Sequence, residues 1–144
     1  MKHLIFFSCL LFFWACKTYT IDELPEEHLI FGKGGGFTGA VETHTLLRNG
    51  QLFQHNSLKK DTLTLPKIKR KQVKSCYEKA NSIDWEKMAM NHPGNRYYFL
   101  EYVKGGTKNR IVWGGEETAV AEEVKLLYQD LIALVQKEET AVKD

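Results

Sequence analysis

Hydrophobic and polar positions along this chain alternate first with the period of a strand, then fall into helical spacing, and then repeat the sequence. Val41 to Arg48 and Gln51 to Leu58 are strand-like runs separated by Asn49-Gly50. Asn-Gly between such runs is the strongest short signal for a two-residue hairpin turn, in which both central residues take positive φ. A third run, Asp61 to Leu65, alternates with period two and predicts a further strand, which Pro66 ends. From Ile68 to Ala80 the pattern changes. Val73, Cys76, Tyr77 and Ala80 recur at helical intervals, while Lys69, Arg70, Lys71, Lys74 and Lys79 lie mostly elsewhere around the same helix. Ile83 and Trp85 follow as apolar contacts at its end, and Asn91 to Asn95 has the composition of a loop.

A second hairpin is predicted from Tyr97–Lys104 and Thr107–Trp113 around Gly105-Gly106. A two-residue turn there sets Glu101 opposite Arg110, and puts Tyr98, Leu100 and Tyr102 beside Ile111 and Trp113 on one face. Gly114-Gly115 breaks the strand. In the last segment Thr118 is placed to cap a helix, and Glu122 and Glu123 suit its first turn. Val120, Val124, Leu127, Leu131 and Leu134 form its apolar stripe. The order β-β-(β)-α-β-β-α predicts an α+β domain: an antiparallel sheet of two hairpins with two helices packed on one face.

The first fifteen residues follow a different logic. Lys2 and His3 form a short polar head, and Leu4 to Ala15 carries no charge. This run of about 12 residues is too short to span a bilayer, which takes about 20. A basic head, an apolar core and a small residue before a cut predict a signal peptide over 1–15. Ala15 followed by Cys16 resembles the lipobox of bacterial lipoproteins, although Phe13 and Trp14 depart from its usual residues. The resemblance implies cleavage before Cys16 and a covalent lipid on its sulfur. Residues 16–28, polar and containing Pro25, then read as a lipidated N-terminus and tether, and 29–144 as a single domain.

Composition narrows the function classes. Twenty basic and eighteen acidic residues give a net charge of +2, so no global basic character calls for nucleic acid. Of three cysteines, Cys9 would leave with the signal and Cys16 would carry the lipid that the resemblance implies, so Cys76 would stand alone and an intramolecular disulfide framework is excluded in the mature domain. Cys76 sits on the apolar side of its helix, where a free thiol is inert. The chain contains no G-x-S-x-G and no H-E-x-x-H, and nothing in it predicts a catalytic centre.

Three constellations remain. Gly34-Gly35-Gly36-Phe37-Thr38-Gly39-Ala40-Val41 matches G-x-G-x-x-G-x-V. It precedes a hairpin instead of opening a helix, so neither a dinucleotide nor a kinase phosphate loop fits. The glycines read as backbone for a turn, a bulge or a close strand crossing, and Gly34, Gly35, Gly36, Phe37, Thr38 and Gly39 form the candidate binding surface. The predicted Asn49-Gly50 turn pairs His44 with His55 across the strands, with Glu42 on the same face. Two imidazoles and a carboxylate at that spacing suit zinc or copper. Lys67, Lys69, Arg70, Lys71 and Lys74 form a basic cluster that suits an anionic surface or a solvated helix face.

Phe31 to Gly39, the hairpin at Asn49-Gly50, Pro93 to Phe99 and Val112-Trp113-Gly114 resemble a group of small uncharacterised lipoproteins of Gram-negative bacteria. That resemblance brings no activity with it. Gly35-Gly36-Phe37-Thr38-Gly39, followed by hairpin, helix, hairpin and helix, is also similar to emfourin-type inhibitors of thermolysin-like metallopeptidases. The expectation is therefore a lipid-anchored envelope protein, with no cofactor besides the lipid on Cys16. Lys17 after the cysteine favours the outer membrane by the rule of that lipoprotein class. Its domain is expected to be a non-catalytic binding module for a protein or envelope component. The alternatives are a metallopeptidase inhibitor and a metal-binding protein using Glu42, His44 and His55.

Overall fold

The glycine-rich segment belongs to a long strand at the middle of a sheet. The computed structural model describes residues 17–115 and 119–143. The signal segment, Cys16 and Thr118 lie outside them. Strand β1 (Glu27–Gly35) pairs on one side with β2 (Val41–Leu47) and on the other with β6 (Arg96–Lys104). Around them lie β3 (Leu52–Asn56), β4 (Asp61–Leu65), β5 (Met90–His92) and β7 (Thr107–Trp113), giving a seven-stranded sheet of order β4-β3-β2-β1-β6-β7-β5. All neighbours are antiparallel except β5 and β7, which run parallel. The helices are α1 (Arg70–Ser82), the single turn α2 (Trp85–Met88) and α3 (Glu122–Lys143).

The α+β class holds, with a larger and mostly antiparallel sheet. The two expected hairpins and the further strand Asp61–Leu65 make five strands, and the sheet has seven because β1 and β5 escape the pattern. β1 lacks a period-two signal because glycines stand where side chains would otherwise alternate. A Cβ on Gly32 would lie 2.0 Å from the Glu42 carbonyl oxygen and 2.8 Å from the Phe99 ring. The glycine is what lets the neighbouring ring lie across the strand. The strand also starts at Glu27, inside the segment read as tether. Upstream residues are tied down as well: Tyr19 N–H donates to Gln51 Oε1 and Gln51 Nε2 donates to the Tyr19 carbonyl, both at 2.9 Å.

Alternation in the central strands sends Leu29, Phe31, Leu46, Leu52, Leu100 and Ile111 to one face. There they meet Val73, Cys76, Tyr77 and Ala80 of α1 and Val124, Leu127, Leu131 and Val135 of α3. This is the main core, and both long helices share that side. On α3 the stripe turns slightly: Val135 is buried and Leu134 partly buried at its edge, while Val120, also partly buried, lies before the helix begins at Glu122. Truncating a fully buried leucine such as Leu127 or Leu131 to Ala should cost about 2–5 kcal/mol. The opposite sheet face also buries Leu47, Phe53, Phe99, Val103 and Val112. Two polar ties hold the helices to the sheet and to each other. The Tyr77 hydroxyl donates to the Leu46 carbonyl at 2.8 Å, and Lys79 of α1 pairs with Asp130 of α3.

Candidate functional site

β1 and β2 are joined by the turn Gly36–Ala40. The ends of the turn are held by Gly35 N–H to the Ala40 carbonyl at 3.1 Å and Gly39 N–H to the Gly36 carbonyl at 3.2 Å. Gly36 N–H also donates to the Asn95 carbonyl at 2.7 Å, which docks the turn on the loop before β6. Gly35, Gly36 and Gly39 all have positive φ, a conformation that side chains other than glycine resist. The result is a rigidly seated turn that projects Phe37 fully into solvent. Beside it lies an open concavity of about 560 Å³, lined by Gly34 to Thr38 together with Lys33, Glu42, Arg96, Tyr97 and Tyr98. The predicted surface residues Gly34, Gly35, Gly36, Phe37 and Thr38 are thus brought together. Gly39 completes the turn without lining the concavity.

The predicted pairing of His44 with His55 does not form. His44 lies opposite Gln54, and Thr43 lies opposite His55, a register shifted by one residue. Because strand side chains alternate, the shift puts the two imidazoles on opposite faces of the sheet. His55 Nδ1 sits 3.1 Å from the Thr62 hydroxyl on one face. His44 points into the helix-covered face, almost wholly buried, stacked on Phe31 with centroids 5.4 Å apart and planes at 24°. Among the described residues neither of its ring nitrogens has a hydrogen-bond partner. Nε2 is 3.5 Å from Glu42 Oε1, too distant for a good hydrogen bond. Burial dominates its titration and pushes the imidazole down to about 4, outweighing the nearby Glu139 carboxylate, so it is neutral at pH 7.

The third group at this point comes from α3. Glu139 extends the helical stripe Leu131–Val135 by one further turn and delivers a carboxylate over β2 and β3. Donor atoms of Glu42, His44 and Glu139 all lie within 4.8 Å of one another. Gln54 Nε2 donates to Glu139 Oε1 at 2.8 Å, and Lys33 Nζ approaches Glu42 Oε2 at 3.9 Å. Glu42 is shared with the wall of the concavity. Sequence reasoning found Glu42 and His44 and missed Glu139. The available signal was a carboxylate four residues past a buried valine on an apolar helical stripe.

The other candidates fall into structural roles. Tyr102 and Trp113 are buried under the helices, while Tyr98 packs against Trp113 and Tyr128 with its edge in solvent. Tyr97 faces the other way, beside Phe99. Cys76 is buried, and desolvation pushes its thiol up to about 11, so no nucleophilic thiolate forms at pH 7. Lys67, Lys69, Arg70, Lys71 and Lys74 are all exposed along α1 and the segment before it, with Lys74 3.7 Å from Glu78. No protein-family model matches the chain, and comparison with curated proteins finds no significant relative.

Proposed function

We propose that this chain is a lipid-anchored protein of the cell envelope, held in the outer membrane through Cys16. Its α+β domain serves as a non-catalytic binding module for another envelope protein or component. The Gly34–Gly39 segment, which ends β1 and enters the turn, forms the contact surface with the concavity beside it. The observation that carries this reading is Phe37. Its ring is wholly in solvent and stands beside a concavity lined by Arg96, Tyr97 and Tyr98, so together they offer an apolar and aromatic patch of the kind that protein contacts use. Here the ring stands on a turn fixed by backbone hydrogen bonds, so little conformational entropy is lost on binding. Arg96, Tyr97 and Tyr98 supply the arginine and aromatic chemistry common in such contacts.

The test is capture from detergent-solubilised envelopes with the full chain as bait, compared with Phe37→Ala and Thr38→Ala. The expected result is a partner retained by the wild type and lost with Phe37→Ala. Equal capture by all three chains would rule out this surface. Intact mass and membrane fractionation of the protein beside Cys16→Ala test the anchor. The expected outcome is an acylated, sedimenting wild type and a soluble variant. Two soluble, unacylated proteins would overturn it.

A further inference from the structure

We propose that Glu42, His44 and Glu139 form a binding site for a divalent transition-metal ion of the zinc class. This goes beyond the binding-module reading and does not depend on it. The argument starts from His44. A polar ring buried without a hydrogen bond costs about 1–3 kcal/mol, and both its nitrogens are in that position among the described residues. Stacking on Phe31 accounts for its ring faces but not for its nitrogens. An ion on Nε2 would turn an orphaned lone pair into a ligand.

Two carboxylates lie beside the His44 ring, with Glu42 Oε1 3.5 Å from Nε2. Glu42 reaches it along β2 and Glu139 from α3, with all three donor atoms inside 4.8 Å. One imidazole nitrogen and two carboxylate oxygens are donor types that bind zinc, and three protein ligands leave a fourth tetrahedral position open. Both carboxylates are only partly buried, so an ion has an entry path and the acidic side chains can close onto it. Gln54 already orients the Glu139 carboxylate by its hydrogen bond at 2.8 Å, the outer-shell support that ligating carboxylates usually have. Glu42 also lines the concavity, so the open position would lie at the edge of the proposed contact surface. The site draws its ligands from β2 and the far end of α3 and would pin that end to the sheet.

The experiment is a titration of the full chain, purified without a polyhistidine tag, with zinc alone against a chromophoric chelator. Thermal melts are recorded with and without zinc. The wild type is expected to take up one zinc per chain and to melt at a higher temperature when loaded. Glu139→Gln keeps an oxygen for Gln54, and its position near the end of α3 leaves the core intact. It is expected to bind at least about tenfold more weakly, without the thermal shift. His44→Phe preserves the stacking on Phe31 and is expected to abolish uptake, while His55→Ala leaves it unchanged. Zinc uptake equal in the wild type, Glu139→Gln and His44→Phe would overturn the site, as would no uptake by a folded wild type. If His44→Phe fails to fold, Glu139→Gln decides alone. Loss of partner capture in the Phe37→Ala experiment bears only on the contact surface and leaves this result standing.

Discussion

The two hairpins look alike in sequence and differ in the one property that matters for the site. Each presents two alternating runs around a pair of turn-forming residues. In β6–β7 both Gly105 and Gly106 have positive φ, the turn has two residues, and Lys104 pairs with Thr107. Glu101 then lies opposite Arg110, with Arg110 Nη1 3.2 Å from Glu101 Oε2. In β2–β3 only Gly50 has positive φ; Asn49 does not. Gly50 N–H donates to the Leu47 carbonyl and Leu47 N–H to the Gln51 carbonyl, both at 2.9 Å. This is a type I turn followed by a left-handed glycine, which adds a residue to the loop and shifts the register by one. Asn49 is held there by one local and one tertiary contact: Oδ1 accepts from Gln51 N–H two residues on, and Nδ2 donates to the Lys17 carbonyl. Gly50 accepts from Ile68 N–H at 2.9 Å. The second turn is bonded outside itself as well, Gly105 N–H to the Glu26 carbonyl at 3.2 Å, yet keeps the two-residue form that its glycine pair favours, whereas the first, bonded to Lys17 and Ile68, takes the three-residue form.

The comparison can be broken most severely at its glycines. A Cβ on Gly50 would lie 2.5 Å from the Ile68 carbonyl oxygen at a φ of 89°, whereas one on Gly106 meets nothing within 4 Å at a φ of 81°. Gly106→Ala should therefore cost only the backbone strain, about 1 kcal/mol. Gly50→Ala adds a clash and should cost about 3 kcal/mol or more. Urea denaturation of the two variants checks the difference, and equal losses would refute a tertiary constraint on the first turn.

The register also predicts which histidine governs acid stability. His44 titrates near 4 when folded, against an ordinary value of 6.5. Between those values the unfolded chain binds a proton that the native protein excludes. The apo protein should thus lose about 3 kcal/mol as pH falls from 6.5 to 4, with the full stability present above 6.5. Denaturant midpoints across that range should lose this slope in His44→Phe and keep it in His55→Phe. With the pairing first expected from the sequence, the two variants would behave alike.

Smaller effects sharpen the contrast. Tyr77→Phe removes the buried hydroxyl that ties α1 to Leu46 of the first hairpin and should cost about 1–2 kcal/mol. In the second hairpin the Glu101–Arg110 pair is half exposed on its arginine side. A double-mutant cycle to Ala should give a coupling of about 0.5 kcal/mol, falling with salt. A coupling above that of the Tyr77 hydroxyl would reverse the view that the first hairpin carries the stronger tertiary ties.

Legibility followed the same divide. The buried faces of α1 and α3 were readable because helical spacing is a local property: Val73, Cys76, Tyr77, Ala80, Val124, Leu127 and Leu131 are all buried as the pattern implies. β1 was not readable, because its partners supply the side chains that fill the space over Gly32. α2 is one turn and β5 three residues, too short to show a period. The candidate contact turn was visible as glycines around an exposed Phe37, since positive φ leaves a mark in residue choice. Glu139 was invisible as a partner of His44 because nothing local links residues 95 positions apart.

The sequence by itself determined the class of the domain, the helix faces, the second hairpin with its Glu101–Arg110 pair, and the glycine turn that presents Phe37. Each rests on interactions between residues near in the chain or paired symmetrically about a two-residue glycine turn. Only the tertiary structure decided the register of the first hairpin, and with it which face each histidine occupies. It also decided that β1 runs through the middle of the sheet and that Glu139 meets His44. The physical reason is that side-chain facing in a strand inverts with a one-residue shift. The observed turn is bonded to Lys17 and Ile68, contacts between residues distant in the chain that form only once it has folded.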